Sequence, residues 1–193
     1  MKDILNNKYE HEFILIGARP ALGKTALLLK LTKDYLEQGK KVLFFSLEAS
    51  SELLLRRMKM NDTPNLLIND YVIKDLTRVK ESIQNFKPDV ILIDYLQLLP
   101  QEIELPTLLK QISKENNIPV IVSTQISRTY DEIDLSQISI EEFKSISKSI
   151  SEFIDESDTF SILYQKEPKV IIYKELKNTN GSLKEIDIRE ILN

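Results

Sequence analysis

Four short runs, FILI (13–16), VLFF (42–45), VILI (90–93) and IPVIV (118–122), constrain the fold more than anything else in the chain. Each is apolar at consecutive positions, not alternating ones, a pattern that suits strands covered on both faces. Between them lie stretches of helical period: KTALLLKLTKDYLEQG (24–39), SSELLLRRMKM (50–60), IKDLTRVKESIQNF (73–86) and LPTLLKQISKENN (105–117). Such alternation predicts an α/β fold, with a mostly parallel twisted sheet and helices on both faces. LLI (66–68) reads as a further short strand, and DVILIDYLQLL (89–99) as one buried strand.

Beyond residue 126 the pattern changes. A serine-rich, acidic stretch carries one helix over about 140–156, and TFSILY (159–164) is the next strand. The end reads as a C-terminal β-hairpin, KVIIYKEL (169–176) and SLKEIDIRE (182–190), turning at Asn180-Gly181 because both residues tolerate positive φ. Gly39 is expected to end the first helix in the left-handed conformation. A chain of 193 residues with 42% hydrophobic content buries roughly 70% of its unfolded surface in one core. The expectation is therefore a single domain over 1–193: a core over 11–128, a divergent loop and helix over 129–158, and C-terminal strands over 159–190.

Composition removes several kinds of chemistry. There is no cysteine, hence no thiolate metal site and no cysteine nucleophile, and the single histidine, His11, reads as an exposed loop residue rather than a catalytic base. No apolar run approaches the ~20 residues that span a bilayer, and no basic-then-apolar leader is present, so a cytoplasmic protein without a membrane partner is expected. The net charge of −4 gives no overall basic footprint for nucleic acid.

Against that background, ARPALGKT (18–25) sits between a strand and a helix. A phosphate-binding loop needs that placement, inward-turned backbone N–H groups, a lysine for the β and γ phosphates, and a hydroxyl for Mg²⁺. Residues Ala18, Arg19, Pro20, Ala21, Leu22, Gly23, Lys24, Thr25 and Ala26 supply these parts. Ala18 occupies the first position of the GxxxxGK[ST] pattern, and Gly17 falls one residue early. Asp94 ends a buried strand, where a carboxylate can hold Mg²⁺ together with Thr25; a helix-capping or solvent-facing acid is the other reading. Glu48 closes the second strand, either as a general base orienting the attacking water or as an acid favoured near the helix that starts at Ser50 or Ser51. Gln125 is either a γ-phosphate sensor or a polar strand end.

The order of these pieces resembles the ATPase domain of the DnaB family of replicative DNA helicases, a RecA-like P-loop NTPase. It is carried by GARPALGKT (17–25), LFFSLEASSELLLRRM (43–58), ILIDYLQLL (91–99) and NIPVIVSTQISR (117–128), and is looser from there to 190. The resemblance implies ATP and Mg as cofactors, with Lys24 and Thr25 on phosphate and metal, Glu48 as catalytic base, Asp94 on the metal, and Gln125 linking the γ-phosphate to DNA-side loops. It also implies single-stranded DNA and either a homo-hexamer or another replication protein as partners. Arg128 follows the TQ pair, where Thr124 replaces the family's serine.

Departures from the family pattern fall elsewhere. About eleven residues precede the first strand, so the family's linker helix is expected to be missing. ISKSISEFIDESD (146–158) has Lys148 where an arginine would fall. In IIYKELKNTNG (171–181), Lys174 is followed by Leu176 at the place of the arginine finger, with Lys177 next. Arg128, Lys148, Lys174 and Lys177 are thus the candidates for DNA or in-trans contacts. Two functions follow: an ATP-hydrolysing helicase-like motor in DNA replication, or a nucleotide-binding accessory protein that contacts a helicase or another replication partner without unwinding DNA. A small-molecule kinase is disfavoured because no arginine-rich lid follows the loop.

Overall fold

The computed structural model of the protein describes residues 11–100, 104–127 and 133–192. Along the chain run β1 (Phe13–Ala18), α1 (Lys24–Glu37), β2 (Val42–Ser46), α2 (Ser51–Met58), β3 (Leu66–Asn69), α3 (Thr77–Phe86), β4 (Val90–Asp94), α4 (Leu105–Asn116) and β5 (Val120–Gln125). There follow α5 (Ile140–Ile146), α6 (Ser151–Glu156), β6 (Thr159–Glu167), β7 (Val170–Asn178), β8 (Glu185–Asp187) and α7 (Ile188–Leu192). Among the described residues the strands form one sheet in the order β3-β2-β4-β5-β1-β6-β7-β8. It is parallel from β3 through β6 and antiparallel beyond.

Consecutive apolar residues in the central strands serve two cores, because side chains of a strand alternate between faces. Phe13, Leu15, Leu43, Phe45, Ile91 and Ile93 pack with α3, α4, α5 and α6 on one face. Ile14, Ile16, Val42, Phe44, Val90 and Leu92 pack with α1, α2 and α7 on the other. Both faces of β1, β2, β4 and β5 are thereby closed, as the unbroken apolar runs require. No helix among the described residues is long and apolar enough to cross a membrane, and His11 is exposed.

Several boundaries differ from the sequence reading. The strand expected over 89–99 stops at Asp94, and Leu96–Leu98 form a 3₁₀ turn instead. Leu96 and Leu99 still enter the core, which is why the run looks uniformly apolar. α3 begins four residues late, at Thr77, because Asp75 accepts the Thr77 N–H at 2.9 Å and holds a turn there. The helix expected over 140–156 is two helices separated by a 3₁₀ turn over Lys148–Ile150. Serine hydroxyls compete for the local carbonyls, Ser145 donating to Glu142 O at 2.7 Å and Ser151 to Lys148 O at 3.0 Å.

The C-terminal hairpin of β7 and β8 exists, but its second arm is only Glu185–Asp187 before the chain turns into α7. Ile188 and Ile191, three apart, bury themselves with the α1 leucines, so helical spacing prevails over the strand reading. Asn180 and Gly181 do not take positive φ; the turn is held instead by the Asn178 side chain, which accepts the Asn180 N–H at 3.0 Å. A longer hairpin, β6 with β7, was not anticipated; it turns next to Lys169, at φ 68°. Gly39 does end α1 in the left-handed region, at φ 75°.

Candidate nucleotide site

β1, β4 and β5 are adjacent and parallel, so Ala18, Asp94 and Gln125 come together at one edge of the sheet. Crevices at the carboxyl ends of such strands are where open α/β sheets bind ligands. The loop from β1 to α1 is tight. Ala21 has φ 65° and Gly23, the N-cap of α1, has φ 89°. A Cβ on Gly23 would meet only Ile188 Cδ1, at 3.9 Å, so backbone conformation and not space calls for glycine there. Gly23→Ala is expected to destabilise the fold by about 1–2 kcal/mol, read as a lowered Tm in a thermal melt.

α1 is 14 residues long and starts at Lys24, so its first N–H groups open onto the loop. Lys24 is only 9% exposed, and its Nζ reaches the carbonyl of Ala18 at 3.4 Å, folding the side chain back over the loop. Burial pushes the Lys24 ammonium below its ordinary pKa, and Asp94 and Glu48 partly oppose that shift, so both carboxylates lie within its field.

One carboxylate organises the centre. Asp94 is buried, at 4% exposure. Its Oδ2 accepts from Thr25 Oγ1 at 2.6 Å and its Oδ1 from Ser123 Oγ at 2.6 Å. The Asp94 carbonyl takes the Leu47 N–H at 2.8 Å, fixing the chain just before Glu48. Asp94 is neither a cap nor a solvent-facing acid. Glu48 is exposed and lies in the turn between β2 and α2, where Ser46 Oγ donates to Ala49 O at 2.5 Å. The start of α2 is served by other groups: Ser50 Oγ accepts the Leu53 N–H at 3.4 Å and Asp70 Oδ2 accepts the Ser51 N–H at 2.7 Å. Glu48 therefore stands clear of the cap and faces the field of Lys24.

Gln125 ends β5, half-buried. With Pro20, Gln97, Ser127, Ser147 and Ser149 it lines a cleft of about 550 Å³ beside the loop. Lys148 is exposed in the 3₁₀ turn at the far side of this cleft. The other basic candidates lie elsewhere. Lys174 donates to Ser136 O at 2.6 Å, and Lys177 donates to Ile154 O at 2.8 Å and Asp155 O at 2.7 Å. Both ammonium groups end on carbonyls of their own chain, and burial pushes that of Lys177 below its ordinary pKa. Leu176, in the arginine's place, is 8% exposed and packed in the core. Arg128 falls outside the described residues.

Two participants escaped the sequence reading. Ser123 holds Asp94, and Gln97 bonds the end of β5 through Thr124 Oγ1 at 2.8 Å, Gln125 O at 3.1 Å and Gln125 N at 3.2 Å. A buried hydroxyl inside the apolar run VIVS was the available signal for the first. No cluster of three or more acidic or histidine ligands occurs among the described residues, so the site offers a cation two hard oxygen donors and no complete cage.

Comparison with known proteins adds the family dimension. The family model described as DnaB-like helicase C terminal domain matches residues 2–64 and 58–176. A probable replicative DNA helicase of Guillardia theta is 30% identical over 173 residues, covering 66% of this chain and 29% of that protein. A DNA repair protein RadA of Aquifex aeolicus is 28% identical over 131 residues, covering 61% of this chain and 29% of that protein. The chain thus spans less than a third of the length of these relatives. Among solved structures, one described as an ATPase domain superposes with a TM-score of 0.78 at 19% identity, over 96% of this chain and 84% of that one. A DnaB-like replicative helicase, from a structure concerned with its interactions with primase, gives 0.78 at 19% identity over 93% and 55%. The flagellar accessory protein FlaH of Methanocaldococcus jannaschii gives 0.68 at 17% identity over 93% and 85%. These superpositions show an α/β sheet fold of the RecA-like ATPase type.

Proposed function

Because the chain belongs to the family of DnaB-like helicase C-terminal domains, we propose that it is a cytoplasmic, single-domain ATPase that binds and hydrolyses Mg·ATP in DNA replication. The observation that carries this reading is the buried Asp94 carboxylate, bonded at 2.6 Å to the first-turn hydroxyl of Thr25. The residues present fit the cofactor. Thr25 and Asp94 are hard oxygen donors, and with no cluster of three or more acidic or histidine ligands among the described residues they suit an ion that arrives with phosphates and keeps water in its shell.

The bound triphosphate supplies an electrophilic γ-phosphoryl group. Around it, backbone N–H groups of the loop after Pro20 and of the first turn of α1 cradle the phosphates, and the Lys24 ammonium neutralises their charge. Thr25 and Asp94 hold the metal side, with Ser123 fixing the carboxylate. Glu48 orients the attacking water and accepts its proton, and Gln125 reads the γ-phosphate toward the cleft beyond. Calorimetric titration with ATP tests this. One-site binding that tightens with Mg²⁺ is expected, and the reading fails if no nucleotide heat appears with or without the ion.

One observation favours a second reading. Leu176 is packed in the core, and Lys174 and Lys177 are committed to carbonyls of the chain itself. A neighbour's site would thus go without a cation from this strand, which suits an accessory protein that binds nucleotide and contacts a helicase or another replication partner. Mass in solution separates the two. A hexamer assembled with ATP and single-stranded DNA fits the motor, and a monomer under the same conditions fits the accessory role.

A further inference from the structure

β5 is longer than the strand beside it. The pairing of β4 with β5 ends at Ile93 and Val122, whereas β5 continues alongside β1 to Gln125. Successive peptide groups of a strand point to opposite sides. The Ile126 N–H goes to Ala18 O at 2.9 Å, on the β1 side, so the N–H and C=O of Gln125 point toward the space where β4 has already ended. Gln97, in the 3₁₀ turn that follows β4, fills that space with its carboxamide. Its Oε1 accepts the Gln125 N–H at 3.2 Å, while its Nε2 donates to the Gln125 carbonyl at 3.1 Å and to Thr124 Oγ1 at 2.8 Å. One side-chain amide thus makes both bonds that, in a parallel pair, two residues of a longer β4 would have made.

The same two-residue alternation that sets Ser123 Oγ on Asp94 returns the Gln125 side chain to the Asp94 face of the sheet. Gln97 is exposed, so water could otherwise satisfy the Gln125 backbone; a protein amide there adds fixed geometry, not merely satisfaction. Gln97 also borders the cleft that runs from Pro20 of the phosphate loop to Ser147 and Ser149. We infer that Gln97 is a positioning residue: its carboxamide stands in for the missing length of β4 and fixes the tip of β5, so that Gln125 meets a nucleotide γ-phosphate in one orientation. This rests on the ATP reading given above and extends it to a residue that itself touches no phosphate.

Two measurements on the intact chain test it. Hydrogen exchange of the Gln125 amide, followed by NMR, should be slow in the wild type and about tenfold or more faster in the near-isosteric Gln97→Met. Calorimetry in Mg²⁺ with ADP and with the non-hydrolysable β,γ-imido analogue of ATP should give Gln97→Met unchanged ADP affinity and about a tenfold loss of preference for the analogue. Thr124→Val, which removes only the hydroxyl partner of Gln97, should move the preference in the same direction, and keeps the test open if Gln97→Met fails to fold. Unchanged amide exchange overturns the inference, as does faster exchange with an unchanged preference, which would make Gln97 merely structural. If the wild type binds neither nucleotide, the ATP reading itself falls; if it binds both and the preference does not move, only Gln97 does.

Discussion

Lys24→Met is expected to weaken ATP binding by about a hundredfold or more, since a charged contact to phosphate is worth about 3 kcal/mol, while making the nucleotide-free protein more stable. Both effects come from one arrangement. Lys24 is almost fully buried, and its Nζ has one long contact, 3.4 Å to Ala18 O. Charge held out of water without a close partner is unfavourable, and accordingly burial lowers the Lys24 pKa while Asp94 and Glu48 only partly restore it. Methionine fills the same volume with an unbranched apolar chain and carries no such penalty. The sign of the pH dependence follows. With its folded pKa below the ordinary 10.5, Lys24 binds fewer protons in the native state than in the unfolded chain between the two values. Wild-type stability contributed by this group therefore rises with pH across that window, and the penalty is complete below it. The advantage of Lys24→Met should be largest at neutral pH and shrink toward pH about 10. Urea unfolding at two pH values, beside a calorimetric titration with ATP, measures both. A variant that still binds ATP as the wild type does would remove Lys24 from the phosphates.

The parallel part of the sheet was legible because strands buried on both faces leave little room for polar residues. FILI, VLFF, VILI and IPVIV carry that signature, and the structure puts each between two helical layers. Asp94 was legible for the complementary reason, an acid ending such a run, and the structure answers it with two hydroxyl donors at 2.6 Å. What stayed hidden depends on contacts distant in sequence. Ser123 meets Asp94 across 29 positions, and the one local signal, a hydroxyl closing the apolar run VIV, does not say which group it meets. Gln97 was hidden inside a run that looked like strand, because Leu96 and Leu99 remain buried after the strand has ended. Helix ends were hard to place for another reason. With only four glycines in the chain, α2, α3 and α4 close on Lys59, Lys87 and Asn117 in the left-handed conformation, positions where glycine would have been the visible mark. The basic residues after 170 show the same limit. Sequence spacing alone could not show that Lys174 and Lys177 fold back onto Ser136, Ile154 and Asp155.

Glu48→Gln is expected to lower turnover of saturating Mg·ATP by about 10²–10⁴-fold, the usual contribution of a positioned general base, with nucleotide affinity nearly unchanged. The amide keeps the shape of the side chain and a hydrogen-bonding oxygen for the attacking water, but it cannot accept that water's proton. Binding should survive because the groups assigned to phosphate and metal are Lys24, Thr25 and Asp94, and a change confined to kcat marks an interaction that matters only in the transition state. Folding should survive too. Glu48 is exposed, and the start of α2 is served by Ser50 and Asp70, so the stability change should stay within about 0.5 kcal/mol. That separation gives the experiment its force. Were Glu48 an acid stabilising the first turn of α2, Glu48→Gln would lower Tm and leave turnover per folded molecule untouched. Single-turnover hydrolysis at saturating ATP, normalised to the folded fraction from a thermal melt, decides between them. A variant that hydrolyses ATP at the wild-type rate would take the proton-accepting role away from Glu48.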